Sequence, residues 1–158
     1  MARAHASVEV AVPPPAVMAV LTDLERYPDF LPWVQAVEVL RRERGDTEDV
    51  WEARFDLVLV RPLSFVLRLV RSGEARLSWT LVEGPLRVDD GAWTLEPRAG
   101  GQRTRLDYDI ELQPTAYVPG SVLESLRLRE LPALLRLVGE EALARLPVAA
   151  TDLPADSR

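Results

Sequence analysis

From residue 36 to residue 114 the chain alternates apolar and polar positions with a period of two, and turn signals interrupt it at short intervals. That period puts successive side chains on opposite faces of a strand, so each run between turns reads as one strand with an apolar face. "AVEVLRRE" ends at a Gly45-Asp46 turn. "DVWEARFDLVLV" gathers Trp51, Ala53, Phe55, Leu57 and Leu59 on one side before Arg61-Pro62 breaks it. "LSFVLRLVR" gathers Phe65, Leu67 and Leu69, and Ser72-Gly73 turns the chain. "ARLSWTLVE" gathers Leu77, Trp79 and Leu81 before Gly84-Pro85. "RVDDGAWTLEP" gathers Trp93 and Leu95, with Gly91 permitting a bend or bulge. After the hairpin signal Gly100-Gly101, "RTRLDYDIELQ" sets Leu106, Tyr108, Ile110 and Leu112 against Arg105, Asp107, Asp109 and Glu111. Six consecutive strands joined by short turns make an antiparallel meander whose apolar face must be covered.

The flanks supply the cover. "SVEVAV", residues 7 to 12, reads as a first strand, stopped by Pro13 to Pro15. Val17, Met18, Val20, Leu21 and Leu24 follow with helical spacing, one of the prolines falling in the first turn. "RYPDFLPWV", residues 26 to 34, reads as a second short helical turn. Residues 119 to 146 are helical in pattern, with Leu131, Leu134, Leu135, Val138 and Ala142 on one stripe and Pro132 kinking or splitting the helix. The expected fold is α+β: a curved antiparallel sheet of about seven strands wrapped around a long C-terminal helix, with two short helices after strand 1. One domain is expected over residues 1–146, and 147–158 read as a disordered tail.

Composition narrows the chemistry. The chain has no cysteine, no lysine and no asparagine, one histidine (His5), and 19 basic residues that are all arginine. Without lysine there is no Schiff base and no P-loop; without cysteine there is no thiolate nucleophile. A single histidine, expected to be solvated ahead of the first strand, disfavours zinc sites and Ser-His-Asp arrangements. No metal or cofactor is called for. A net charge of -6 argues against nucleic acid as a partner. No apolar run is long enough to span a bilayer, and Glu9 with Pro13 to Pro15 interrupts any signal-peptide core. A soluble, cytoplasmic protein with no stable membrane insertion is expected; a protein partner is not specified by the pattern.

With this element order, "LTDLERYPDFLPWVQAVEVL" (residues 21 to 40) and "LVEGPLRVDDGAWTLEP" (residues 81 to 97) resemble the START-like, or SRPBCC, superfamily. This is the helix-grip, Bet v 1-like fold, and the two stretches are similar to its coenzyme Q-binding and polyketide cyclase/dehydrase branch. The resemblance spans about residues 6 to 146. It implies an apolar cavity between sheet and C-terminal helix, entered near the first helices and the sheet loops. Members bind lipids, isoprenoid quinones or polyketides, and some associate with ribosomes.

A bent sheet that does not close fully on one helix leaves a pocket, expected at roughly 300–1,000 Å³. Candidate ligand-binding residues are Tyr27, Phe30, Leu31, Trp33, Phe55, Leu57, Phe65, Leu67, Trp79, Leu81, Trp93, Tyr108, Leu131 and Leu135. The leading expectation is binding or transport of a hydrophobic small molecule without catalysis. The first alternative is a polyketide cyclase or aromatase-like dehydratase, which needs inward polar groups to move protons. Tyr108 and Asp89 are the candidates there. The plainer readings make Tyr108 a core tyrosine with its hydroxyl satisfied, Asp89 and Asp90 caps of the turn after Pro85, and Arg71 a rim residue. A further alternative is a ribosome-associated interaction module.

Overall fold

The computed structural model describes residues 2–58, 61–113, 115, 120–125 and 129–146. Leu59 and the tail at 147–158 therefore lie outside the described residues. The order is β1 (Ala2–Val10), α1 (Pro14–Leu21), a 3-10 turn (Leu24–Arg26), α2 (Tyr27–Phe30) and β2 (Val34–Arg44). Then come β3 (Glu48–Val58), β4 (Pro62–Ser72), β5 (Arg76–Glu83), β6 (Asp89–Arg98) and β7 (Arg103–Leu112). α3 (Gly120–Ser125) and α4 (Leu131–Ala144) follow. The seven strands form one antiparallel sheet in the order β1-β7-β6-β5-β4-β3-β2, a meander whose last strand takes β1 as its outer neighbour. This is the helix-grip architecture that the pattern calls for.

Strand alternation translates directly into burial. In β3, Trp51, Ala53 and Phe55 are buried while Glu52, Arg54 and Asp56 are not. In β7, Thr104, Leu106, Tyr108, Ile110 and Leu112 are buried, and the residues between them face out. Each large apolar side chain taken from water contributes about 1.5–3 kcal/mol, so one misregistered strand would forfeit several such terms at once. The outer face carries cross-strand ion pairs such as Arg54–Glu38 at 3.1 Å and Arg41–Glu52 at 3.1 Å, which contribute little each.

Two expectations need correction. β1 begins at Ala2 rather than Ser7, because it pairs with β7 along its whole length from Leu112 back to Thr104. His5 is consequently inside the strand, with Nδ1 2.7 Å from Asp109 Oδ1, and not ahead of it. In the C-terminal helical region Pro132 stands in the first turn of α4, where proline is tolerated.

α4 lies across the concave face of the sheet and packs against α1 and β1. At that end the core is sealed by aliphatic side chains: Val12, Val17, Val20, Leu21, Leu77, Leu106 and Val138 are fully buried. Thr104, also fully buried, donates its hydroxyl to the Val12 carbonyl at 2.8 Å and so fixes the exit of β1 toward α1. The other end of the same interior, under β3, β4 and β5, is not filled.

Candidate functional site

That unfilled end is a cavity of about 160 Å³. Its walls come from the segment after α1 (Tyr27, Leu31, Trp33, Val34), from β3 (Phe55, Leu57) and from β4 (Leu63, Phe65, Leu67, Leu69). Trp79 of β5, Pro85 and Leu86 of the following loop, and Asp89 and Trp93 of β6 continue it. Tyr108, Ile110 and Leu112 of β7 and Glu130, Leu131 and Leu134 at the start of α4 complete it. Half-buried liners (Tyr27, Trp33, Leu57, Phe65, Pro85, Leu86, Glu130, Leu134) mark the mouth. Trp79, Asp89, Trp93 and Tyr108 are buried and form the deep end.

The hollow is smaller than the roughly 300–1,000 Å³ expected, because rings fill much of the space by packing on one another. Phe55 stacks on Phe65 with centroids 5.8 Å apart and planes 15° from parallel. Tyr108 meets Trp93 edge-on at 4.5 Å and leans on Trp79 at 5.3 Å. Such pairs add to area burial and hold the rings in fixed orientations.

"RYPDFLPWV" proves to be both wall and pin. Leu31 is 3% exposed and faces the cavity with Tyr27 and Trp33. The Tyr27 hydroxyl donates to the Leu21 carbonyl at 2.5 Å, closing the C-terminus of α1, and burial pushes that phenol well above its ordinary pKa. The Trp33 carbonyl accepts from the Val58 amide at 2.8 Å, tying the segment to β3. Of the other candidates, Phe30, Leu81 and Leu135 lie off the cavity wall. Phe30 stands 5.9 Å beneath the Arg145 guanidinium at the far end of α4. Leu81 sits beside the bulge at Val82, where the β4–β5 register shifts. Leu135 is buried, but not against the cavity.

The polar groups of the deep end carry the site's chemistry. Asp89, not Asp90, turns inward: it is 5% exposed while Asp90 is at the surface, so the turn-cap reading fails for Asp89. The cause lies two residues on. Gly91 pairs with Trp79, and a Cβ there would fall 2.4 Å from Trp79 Cζ2 and 2.4 Å from the Asp109 carbonyl oxygen. Only glycine lets the indole lie flat along β6, and from that position its Nε1 donates to Asp89 Oδ1 at 3.1 Å. Burial pushes the Asp89 carboxyl up to about 6, against the pull of the Trp79 hydrogen bond and with a smaller push from Asp90. Burial raises the Tyr108 phenol too, and Asp89 and Tyr27 add to it.

Among the described residues neither Asp89 Oδ2 nor the Tyr108 hydroxyl has a hydrogen-bond partner, yet the one sealed side-chain polar atom without a partner is Arg145 Nη2. Those two oxygens are therefore open to the cavity, and Tyr108 is not a satisfied core tyrosine. Arg71 does sit at the rim: it holds Asp49 at 3.2 Å with Arg42 on the same carboxylate, in a cluster remote from the cavity. Burial pushes the Asp49 carboxyl up, but the Gly45 amide and the two guanidinium groups outweigh it and hold the group below its usual range. Among the described residues no set of three or more His, Asp or Glu side chains is placed to hold a metal ion, and no helix is long and apolar enough to cross a membrane.

Residues 10–137 match the family model described as polyketide cyclase / dehydrase and lipid transport. The chain belongs to that family, whose members share a helix-grip fold with a cavity for hydrophobic ligands. Solved structures agree on the fold. A Thermus thermophilus protein superposes with a TM-score of 0.75 at 22% identity, over 92% of this chain and 99% of that one. A START superfamily protein from Mycobacterium smegmatis gives 0.76 at 18%, over 90% and 97%. The Zhui aromatase/cyclase from a Streptomyces species gives 0.74 at 25%, over 94% and 97%. No curated protein sequence matches this chain.

Proposed function

We propose that this protein binds, and in doing so carries, one compact hydrophobic molecule between its sheet and α4. The observation that carries the reading is the hollow itself. A solid core would bury these same rings against each other completely; here Trp79, Trp93, Phe55, Leu67 and Leu134 border about 160 Å³ of unfilled space. An empty apolar void costs stability, since its lining loses contacts on one side, and a guest restores them. The lipid-transport half of the family description supports the same reading. Native mass spectrometry of protein purified without detergent tests it: a bound small molecule is expected, released on unfolding and lost in Leu134→Trp, which fills the mouth. Protein that carries nothing, and that gives no thermal shift with any apolar probe, would contradict the proposal.

One observation favours a second reading, catalysis of a cyclisation or dehydration. A buried carboxyl poised at about 6 and a free phenol share the deep end of the cavity, and proton transfer is most efficient when a group's pKa lies near the working pH. Likeness to an aromatase/cyclase supports it at the level of the family. Turnover of a polyketide substrate that collapses in both Asp89→Asn and Tyr108→Phe would establish it; equal rates in the variants would remove it.

A further inference from the structure

Resting on the binding role proposed above, we propose that the deep end of the cavity selects a neutral hydroxyl head group and rejects a carboxylate, so that the ligand is a compact apolar alcohol or phenol and not a fatty-acid-like anion. Three observations carry this. First, among the described residues the lining contains no arginine and no histidine, and lysine is absent from the chain. The protein has 19 arginines, and none of those among the described residues borders this wall. An anionic head group inside would find no cation to pair with among the described lining residues. Second, the described lining carries two carboxyl side chains, Asp89 at the deep end and Glu130 at the mouth. A carboxylate head group at the deep end would meet the Asp89 charge where water is excluded, which is where such repulsion is felt most.

Third, the free valences match a hydroxyl. Asp89 Oδ1 is occupied by the Trp79 N–H, which fixes the carboxyl plane and leaves Oδ2 as an acceptor open to the cavity. The Tyr108 hydroxyl, held between Trp79 and Trp93, is a free donor and acceptor on the same deep wall. A ligand O–H can donate to Asp89 Oδ2 while its oxygen accepts from Tyr108. Hydrogen bonds to an ionised acceptor are the stronger kind. A carboxylate has no proton to give and forfeits the first of these bonds.

The test is calorimetric titration at pH 7.5 with three probes on one skeleton: naphthalene, 2-naphthol and 2-naphthoate. Wild type is expected to bind 2-naphthol roughly tenfold or more tightly than 2-naphthoate, the worth of one charge-assisted hydrogen bond. Asp89→Asn, which keeps an acceptor for Trp79 but loses the charge, is expected to close most of that gap by binding 2-naphthoate better. Tyr108→Phe is expected to narrow it by weakening 2-naphthol alone. Wild type and Tyr108→Phe decide the matter even if D89N folds poorly. Naphthoate bound as tightly as naphthol, or a gap that both variants leave unchanged, overturns the head-group assignment while leaving the binding role intact if naphthalene still binds. Failure of all three probes to bind overturns the binding role and the assignment together.

Discussion

The interior of this protein has two ends built from different side chains. The end where α1 and the C-terminal half of α4 meet β1 and β7 is aliphatic and closed to solvent: Val12, Val17, Leu21, Leu106, Val138 and Ala142 are fully buried. The end under β3 to β5 is aromatic and open: Phe55, Phe65, Trp79, Trp93 and Tyr108 surround a cavity. Branched aliphatic chains interdigitate and fill irregular gaps. Rigid rings brace one another at fixed angles and leave interstices. The closed end holds the fold, and the open end is free to hold something else.

The sharpest way to break this comparison is to make the same cut at both ends. Leu106→Ala should cost about 3–5 kcal/mol, because a fully enclosed site cannot collapse, whereas Leu67→Ala should cost about 2 kcal/mol, since its side chain already borders empty space. Chemical denaturation measures both; equal losses would mean that the two ends are packed alike.

The next effect belongs to Asp89. Its carboxyl binds a proton more tightly when folded, at about 6, than at its ordinary value of 3.8. The native state therefore holds more protons between these values, and stability falls as pH rises through about 4 to 6 and stays low above. Asp89→Asn should stabilise the protein by about 2–3 kcal/mol at pH 7.5 and flatten that window. Melting curves from pH 3.5 to 8 follow it, and an unchanged pH profile would remove Asp89 from the hydrophobic deep end. Smaller again is the response to added bulk. Ala142→Leu at the closed end should cost about 1–3 kcal/mol, while Leu134→Phe at the mouth should stay within about 1 kcal/mol and block probe binding. The smallest effect is expected from Tyr27→Phe: about 0.5–1.5 kcal/mol for the lost bond to the Leu21 carbonyl, with naphthol affinity unchanged because the ring remains.

Much of this was legible in the sequence for a local reason. Strand faces follow a period of two, so β3 and β7 announce which residues point inward before any partner is known. The turns at Gly45, Gly73 and Gly100 fix where each strand ends. What was not legible depends on contacts between distant residues. The true start of β1 is set by its register on β7 and not by its own alternation. The inward aim of Asp89 depends on an indole from β5 lying against Gly91. On α4, neighbouring leucines divide their roles by helix rotation, Leu134 facing the hollow and Leu135 the sealed core. The wall residues Pro85 and Leu86 sit in a loop, where no periodicity exists to mark them. The size of the cavity is a matter of ring packing, which alternation does not encode.

One measurement addresses the two-ended interior directly: methyl NMR of Leu and Val side chains during titration with naphthalene. Shifts confined to cavity-lining methyls, such as those of Leu63, Leu67, Leu131 and Leu134, with Val12, Val17, Leu106 and Val138 unmoved, are the predicted result. Shifts spread evenly across both ends, or limited to surface methyls such as those of Leu40 and Leu143, would contradict it.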